Sequence, residues 1–290
     1  MSFYTPLRYP GGKGKLAAYI KAILAENDLI GCHYAEVYAG GAGVAMELLL
    51  EDYVSSVHIN DLNLQVYSFW HSVLNETDAL CGLIFDTPVS MAEWHRQKEI
   101  YARPYTQATH LERAFATFFL NRTNRSGILN AGVIGGKNQD GPWKLDARYT
   151  KADLLQRIEL IAGRSRNIKL TRMDALKFVT EKLAGLGNHS FVYLDPPYYV
   201  KGAGLYDNFY NHEDHERIAR AMRRLRSMRW VVSYDDTPEI RDLYSSFPFV
   251  SYNLSYSASN RYRGAEVMYF SPKLTQPRLE DYGYQALEAA

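Results

Sequence analysis

The sequence is poor in cysteine, in long apolar runs and in net charge. Two cysteines, Cys32 and Cys81, among 290 residues are too few for a disulfide framework and suit a reducing compartment. No apolar run approaches the length that spans a bilayer, and the opening "MSFYTPLRYPGGK" lacks the apolar segment of a secretory leader. The expectation is a cytoplasmic protein with no membrane partner. Lys and Arg number 33 against 32 Asp and Glu, a net charge of +1, so the chain is no polycation and any nucleic-acid surface has to be local. No internal repeat is visible, which excludes a solenoid. What the chain does hold is 47% hydrophobic residues and 23 tyrosines, enough for one sizeable domain or a domain with a large insertion. The tail "QPRLEDYGYQALEAA" (276–290) follows a proline without a core pattern and is expected to be disordered.

Short apolar runs alternate with helical periods. Strands are expected at 33–39, 55–61, 167–174, 190–197, 228–236, 249–257 and 265–272, the last two as an antiparallel pair. Helices are expected at about 13–27, 42–51, 62–74, 174–184, 212–227 and 237–245. Strand alternating with helix predicts a mostly parallel sheet of seven strands, covered on both faces. Residues 76–163 break the alternation. They hold helical patterns such as "HLERAFATFFLNR", then the polar, glycine-rich "TNRSGILNAGVIGGKNQDGPWK". This reads as an inserted, largely helical subdomain carrying a mobile loop or hairpin.

Three stretches carry chemistry. "YAGGAG" (38–43) follows a strand and opens a helix, so its glycines let a ligand approach backbone N–H donors; a plain tight turn explains them as well. Asp61 ends the next strand, where an acid accepts hydrogen bonds from ribose hydroxyls; the alternative is an ordinary helix cap in "NDLN". Together they favour a nucleoside-bearing cofactor. "YPGGKGKL" (9–16) fails as a phosphate loop, because its lysines are not followed by Ser or Thr and no strand precedes it. It delivers Tyr9 and Lys13 to a cofactor, or is merely a helix-starting turn.

"DPPY" (195–198) is the most specific of the three. The prolines lock the backbone and remove two N–H donors, leaving the Pro196 carbonyl and the Asp195 carboxylate as fixed acceptors. An exocyclic amine carries two N–H donors for such a pair, and the Tyr198 ring offers a face on which a base stacks. A proline-rich exit turn is the bland reading. The position, at the C-terminal end of a buried strand, is where open α/β sheets bind ligands.

In this order "RYPGGK", "EVYAGGAG", "HINDLN", "FFLNRTNRSG" and "VYLDPPY" resemble the DNA adenine methylase (Dam-like) N6-adenine methyltransferases, over about residues 5–272. The resemblance implies a class I methyltransferase (Rossmann-like) sheet. It implies S-adenosylmethionine as cofactor and double-stranded DNA as partner, and no metal. It implies a discontinuous catalytic domain, 1–75 and 164–275, around a target-recognition insertion, 76–163, with 276–290 as tail. Catalytic roles fall on Asp195, Pro196 and Tyr198. Cofactor contacts fall on Tyr9, Gly12, Lys13, Tyr38, Gly40, Asp61, Asp174 and Asp195. DNA contacts are expected from Asn121, Arg122, Arg125 and Lys137, since arginine reads guanine and asparagine reads adenine. Tyr9 stands where the family often has Trp, and "AGGAG" varies the usual Gly-x-Gly form. The expected activity is methylation of adenine N6 in flipped-out DNA at a short site, as in restriction–modification. Cytosine N4, RNA adenine or a protein amide as target, a non-catalytic nucleic-acid-binding relative and a dinucleotide oxidoreductase stay open at this stage.

Overall fold

Apolar, β-branched and aromatic runs build β1 (Cys32–Glu36), β2 (Val54–Asn60), β3 (Ile168–Thr171), β4 (Ser190–Leu194) and β5 (Arg229–Asp235), all parallel. β6 (Phe249–Ser255) and β7 (Arg263–Phe270) form an antiparallel pair, with β7 running against β5. The computed structural model describes residues 4–8, 16–200, 210–255, 263–283 and 285–287. Among these the order across the sheet is β3-β2-β1-β4-β5-β7-β6-β8. This is the expected mostly parallel sheet, with β7 and β8 running against the other strands. The tail corrects an expectation. It adds a short edge strand, β8 (Gln285–Leu287), to β6 and buries Leu279, while Tyr19 donates its hydroxyl to the Pro277 carbonyl. An open strand edge recruits backbone by its own N–H and C=O groups and needs no core pattern from the segment it takes.

Strand side chains alternate between two apolar layers. On β4, Phe191 and Tyr193 face one cluster, and Val192 and Leu194 the other. The first layer is covered by α1 (Leu16–Glu26), α2 (Gly43–Leu50) and α3 (Leu64–Asn75). The second is covered by α8 (Ala175–Lys177) and its continuation, α9 (His212–Arg224) and α10 (Pro238–Leu243). The helices between β2 and β3 are α4 (Thr77–Asp86), α5 (Met91–Ala102), α6 (His110–Thr123) and α7 (Lys151–Ala162). They share the first cluster instead of forming a core apart: Phe69 of α3 stacks on Phe118 of α6 with ring centroids 6.1 Å apart. No described helix is long and apolar enough to cross a membrane.

The segment between α6 and α7 was expected to hold a mobile loop or hairpin. It carries one antiparallel bridge, Asn124 with Val133, and side-chain amides brace it. The buried Asn124 accepts from Trp94 Nε1 (2.7 Å) and donates to the carbonyls of Ile128 (3.1 Å) and Leu129 (2.8 Å). Gln139 donates to the carbonyls of Ile134 and Gly136 and accepts from the Leu145 N–H. Amide side chains satisfy backbone groups that no ladder takes up.

Strand order reverses between β1 and β4, which opens a crevice beyond their C-terminal ends. Glu36 closes the floor there. It is 5% exposed, and its carboxylate accepts the Ala45 N–H in the first turn of α2 at 3.2 Å. Burial pushes its carboxyl up to about 8, against the pull of that hydrogen bond, with the Asp195 and Asp61 charges adding to the rise. The unfolded carboxyl titrates near 4.5, so the folded chain keeps a proton that the unfolded chain has released. This stabilisation is complete below the unfolded value and is lost as pH rises through about 8. Glu36→Gln should therefore gain on wild type, by a few kcal/mol in order of magnitude, between the acid and alkaline ends of that window. Urea unfolding across the window measures it, and a difference between the two proteins that is flat with pH contradicts the assignment.

Candidate active site

The glycine loop is held from three sides. The Gly40 N–H donates to Asp61 Oδ2 (2.8 Å), its carbonyl accepts from Trp70 Nε1 (2.9 Å), and the Gly41 carbonyl accepts from the Thr5 hydroxyl. Gly40 has φ 47° and Ala42, the residue before α2, has φ 45°. The left-handed turn thus falls partly on an alanine, at the cost of local strain. Asp61 is half-buried and also accepts the Asn63 N–H at 2.9 Å; burial pushes its carboxyl up to about 6. Asn60 ties the three neighbouring strand ends together. Its amide donates to the carbonyls of Val37 (3.1 Å) and Met173 (3.0 Å), and its oxygen accepts from Thr171 (2.8 Å) and from the Met173 N–H (3.0 Å). Asp174 follows directly and caps α8 by accepting the Lys177 N–H at 3.1 Å. Tyr38 donates its hydroxyl to that of Tyr210 at 3.1 Å. Burial raises Tyr210 to about 12, with the nearby carboxylates of Asp174 and Asp61 adding to it, so these groups share one neighbourhood.

The second loop follows β4, the neighbour of β1. Asp195 is half-buried, and its Oδ1 accepts the Ser233 hydroxyl at 2.7 Å. The Tyr193 hydroxyl lies 2.8 Å from Ser233 Oγ, giving a buried chain Tyr193–Ser233–Asp195. Pro196 is buried and Tyr198 is 6% exposed, its hydroxyl donating to Glu266. Past the prolines, Asp235 accepts the Tyr199 N–H at 2.8 Å and the Val200 N–H at 3.0 Å. The Asp-Pro-Pro-Tyr turn is thus held at both ends by β5.

The expected DNA readers separate into two kinds. Asn121 is 2% exposed and its amide is spent: the oxygen accepts the Arg8 N–H (2.7 Å), and the nitrogen donates to the carbonyls of Arg8 (2.6 Å) and Gly127 (2.8 Å). Gly127 has φ +75°, and a Cβ there would meet the Arg8 carbonyl oxygen, so no other residue fits. Asn121 is therefore not a base reader; with Gly127 it clamps the chain one residue before Tyr9. Arg122 is also misread as a groove residue. It is 8% exposed, its Nε has no hydrogen-bond partner, and burial, then Arg157 and Arg8, pull it down to about 9. Arg125 and Lys137 are exposed, with Arg125 Nε reaching back toward the Val133 carbonyl at 3.5 Å. Tyr9, Gly12 and Lys13 lie outside the described residues. Sequence reasoning missed Asn60, Ser233, Asp235 and Glu266. The one signal was a polar residue interrupting an apolar strand, as in "VVSYDD" and "AEVMYF".

Two structures of the rRNA methyltransferase aviRa from Streptomyces viridochromogenes are similar in outline. One is 14% identical at a TM-score of 0.40, covering 91% of this chain and 87% of that one. The other is 12% identical at 0.41, covering 90% and 85%. Likeness at that level does not bear on substrate. No curated protein matches the sequence. The pattern of one family, the D12 class N6 adenine-specific DNA methyltransferases, matches residues 9–258. That span takes in the glycine loop, Asp61 and the Asp-Pro-Pro-Tyr turn, and the chain belongs to this family of adenine-specific DNA methyltransferases.

Proposed function

We propose that the chain moves the methyl group of S-adenosylmethionine to the N6 amine of an adenine flipped out of double-stranded DNA at a specific short site. One observation carries the reading. Asp195 is a half-exposed carboxylate, fixed by Ser233, on a turn braced by Asp235, beside a glycine loop tied to Asp61.

The donor set suits the cofactor. Carboxyl groups from Asp61 and Asp195 gather at the ends of β2 and β4 and so favour a cationic ligand. Asp61 keeps lone pairs for ribose hydroxyls beyond its two backbone N–H partners. S-adenosylmethionine, when bound, supplies an electrophilic methyl on a sulfonium sulfur. Asp61 and the Gly40 loop bind the nucleoside part, with Tyr38 and Asp174 alongside. Tyr9, Gly12 and Lys13 complete the cofactor contacts on the strength of the family resemblance.

Asp195 accepts one N–H of the adenine amine and the Pro196 carbonyl accepts the other. Both acceptors stabilise the positive charge that develops on nitrogen as the methyl arrives. Tyr198 carries the base. Flipping costs a few kcal/mol, and stacking on an aromatic ring, on the order of 1–3 kcal/mol, offsets part of it. With the ring 6% exposed, a purine stacks there only after whatever lies over it has moved aside. The 76–163 insertion recognises the target. Its exposed Arg125 and Lys137 face DNA, and the buried Arg122, with Arg8 and Arg157 near it, adds positive field from behind. A cytoplasmic setting, as in restriction–modification, fits this reading.

Expression in a methylation-free host, followed by single-molecule sequencing, tests the function. N6-methyladenine in one short motif is expected; N4-methylcytosine, or no modified base, overturns it. Asp195→Ala should lower labelled methyl transfer by about 100-fold or more while leaving the circular dichroism and melting curve unchanged. Turnover near wild type in that folded variant contradicts the assignment. For the DNA surface, Lys137→Ala should reduce the slope of log Kd against log salt by about 0.9, the value of one phosphate contact. An unchanged slope removes Lys137 from the interface.

A further inference from the structure

β7 carries a buried acid with no role in the scheme above. Glu266 is 2% exposed and stands in the ladder opposite Asp235 of β5 and Tyr252 of β6. Its Oε1 accepts the Tyr198 hydroxyl at 2.5 Å, and its Oε2 accepts the Tyr252 hydroxyl at 3.0 Å. A buried carboxylate in mid-strand is costly unless hydrogen-bonded, and an apolar residue there would serve the sheet at no such cost. What the acid adds is a grip on the catalytic turn. The cross-strand pair Asp235 and Glu266 takes hold of three consecutive residues: the side chain of Tyr198 and the backbone N–H groups of Tyr199 and Val200.

The geometry points to Glu266 as a positioning residue that sets the plane of the Tyr198 ring for the flipped adenine. Pro196 and Pro197 fix the backbone leading into Tyr198. The ring then keeps two rotations: a bond from its hydroxyl to a fixed oxygen pins χ1, and because a phenol O–H lies in the ring plane, its aim at that oxygen also biases the turn of the ring about its own axis. Tyr252, fully buried, holds the second oxygen, so the carboxylate cannot swing. The ring is thereby oriented before a base arrives, and stacking does not pay for that order again. This rests on the stacking role given to Tyr198 above.

The test compares wild type, Tyr198→Phe, Glu266→Gln and the double variant in the full chain. Labelled methyl transfer to duplex DNA is measured alongside S-adenosylmethionine affinity and melting temperature. Tyr198→Phe removes one hydroxyl and keeps the ring. It should lower kcat by about tenfold or more, as expected for losing a hydrogen bond to a charged group, with cofactor affinity unchanged. Glu266→Gln should do the same, and the double variant should be no worse than the worse single one. Full kcat in Tyr198→Phe overturns the proposal, whatever Glu266→Gln does to folding. So does a double variant whose loss is the product of the two single losses. A fall in cofactor affinity and melting temperature that tracks the loss of kcat makes Glu266 a purely structural group and also overturns it. Wild-type chain that labels no DNA overturns the function beneath it, an outcome read separately from these ratios.

Discussion

The parallel pairing of β1 with β4 is the constraint on which the site depends. Four register pairs, His33 with Ser190 through Glu36 with Tyr193, bring two loops from distant parts of the chain to one edge of the sheet. Because the strands run the same way, both loops leave at the same end. Because the strand order reverses between them, the helices that follow go to opposite faces and leave a crevice. Nothing in either loop could act on one ligand without that pairing. β5, paired to β4, then supplies Ser233 and Asp235, which hold the turn to which β4 leads.

Acids crowd this edge, and the fold treats each one differently. Asp235 and Glu266 are buried and are given donors on both oxygens. Asp61 has two backbone N–H partners and stays half-exposed. Glu36, the deepest in the floor, is raised to about 8 and so keeps its proton near neutral pH. A proton on Glu36 removes one negative charge from beside Asp195 and so relieves the repulsion between the two carboxyl groups. The crowding is unfavourable for the chain alone, and protonation of Glu36 and paired donors on Asp235 and Glu266 offset it.

Much of this was legible in the sequence because it is local. Each of β1 to β7 announced itself by an apolar run, and the two loops by glycine or proline at a strand end. Asp61 and Asp195 stood out as candidates because each ends a strand beside such a signal. What escaped was non-local. Glu266 lies 68 positions from the tyrosine it holds, and Asn121 lies 113 from the Arg8 main chain. The tail gave no pattern because its strand depends on an edge belonging to β6. Asn121 and Arg122 were misassigned for a related reason: amide and guanidinium side chains suit base edges and buried backbone equally well, and only burial separates the two uses.

That error has a physical consequence for the enzyme. "NRTNRSG" and "RYPGGK" stand far apart in sequence, yet Asn121 bonds both the N–H and the carbonyl of Arg8, and Gly127 leaves no room for a side chain against it. Arg157 of α7 reaches the Thr5 carbonyl, and Thr5 in turn holds Gly41 of the glycine loop. The end of α6 and the middle of α7, on either side of the insertion's long loop, are therefore hydrogen-bonded to residues 5–8. A movement of α6's end cannot leave residue 8 where it was, since the two hydrogen bonds between the Asn121 amide and Arg8 would have to break together. Residues 76–163 and the glycine loop after β1 are thus joined through residues 5–8, even though the chain reaches them in separate passes.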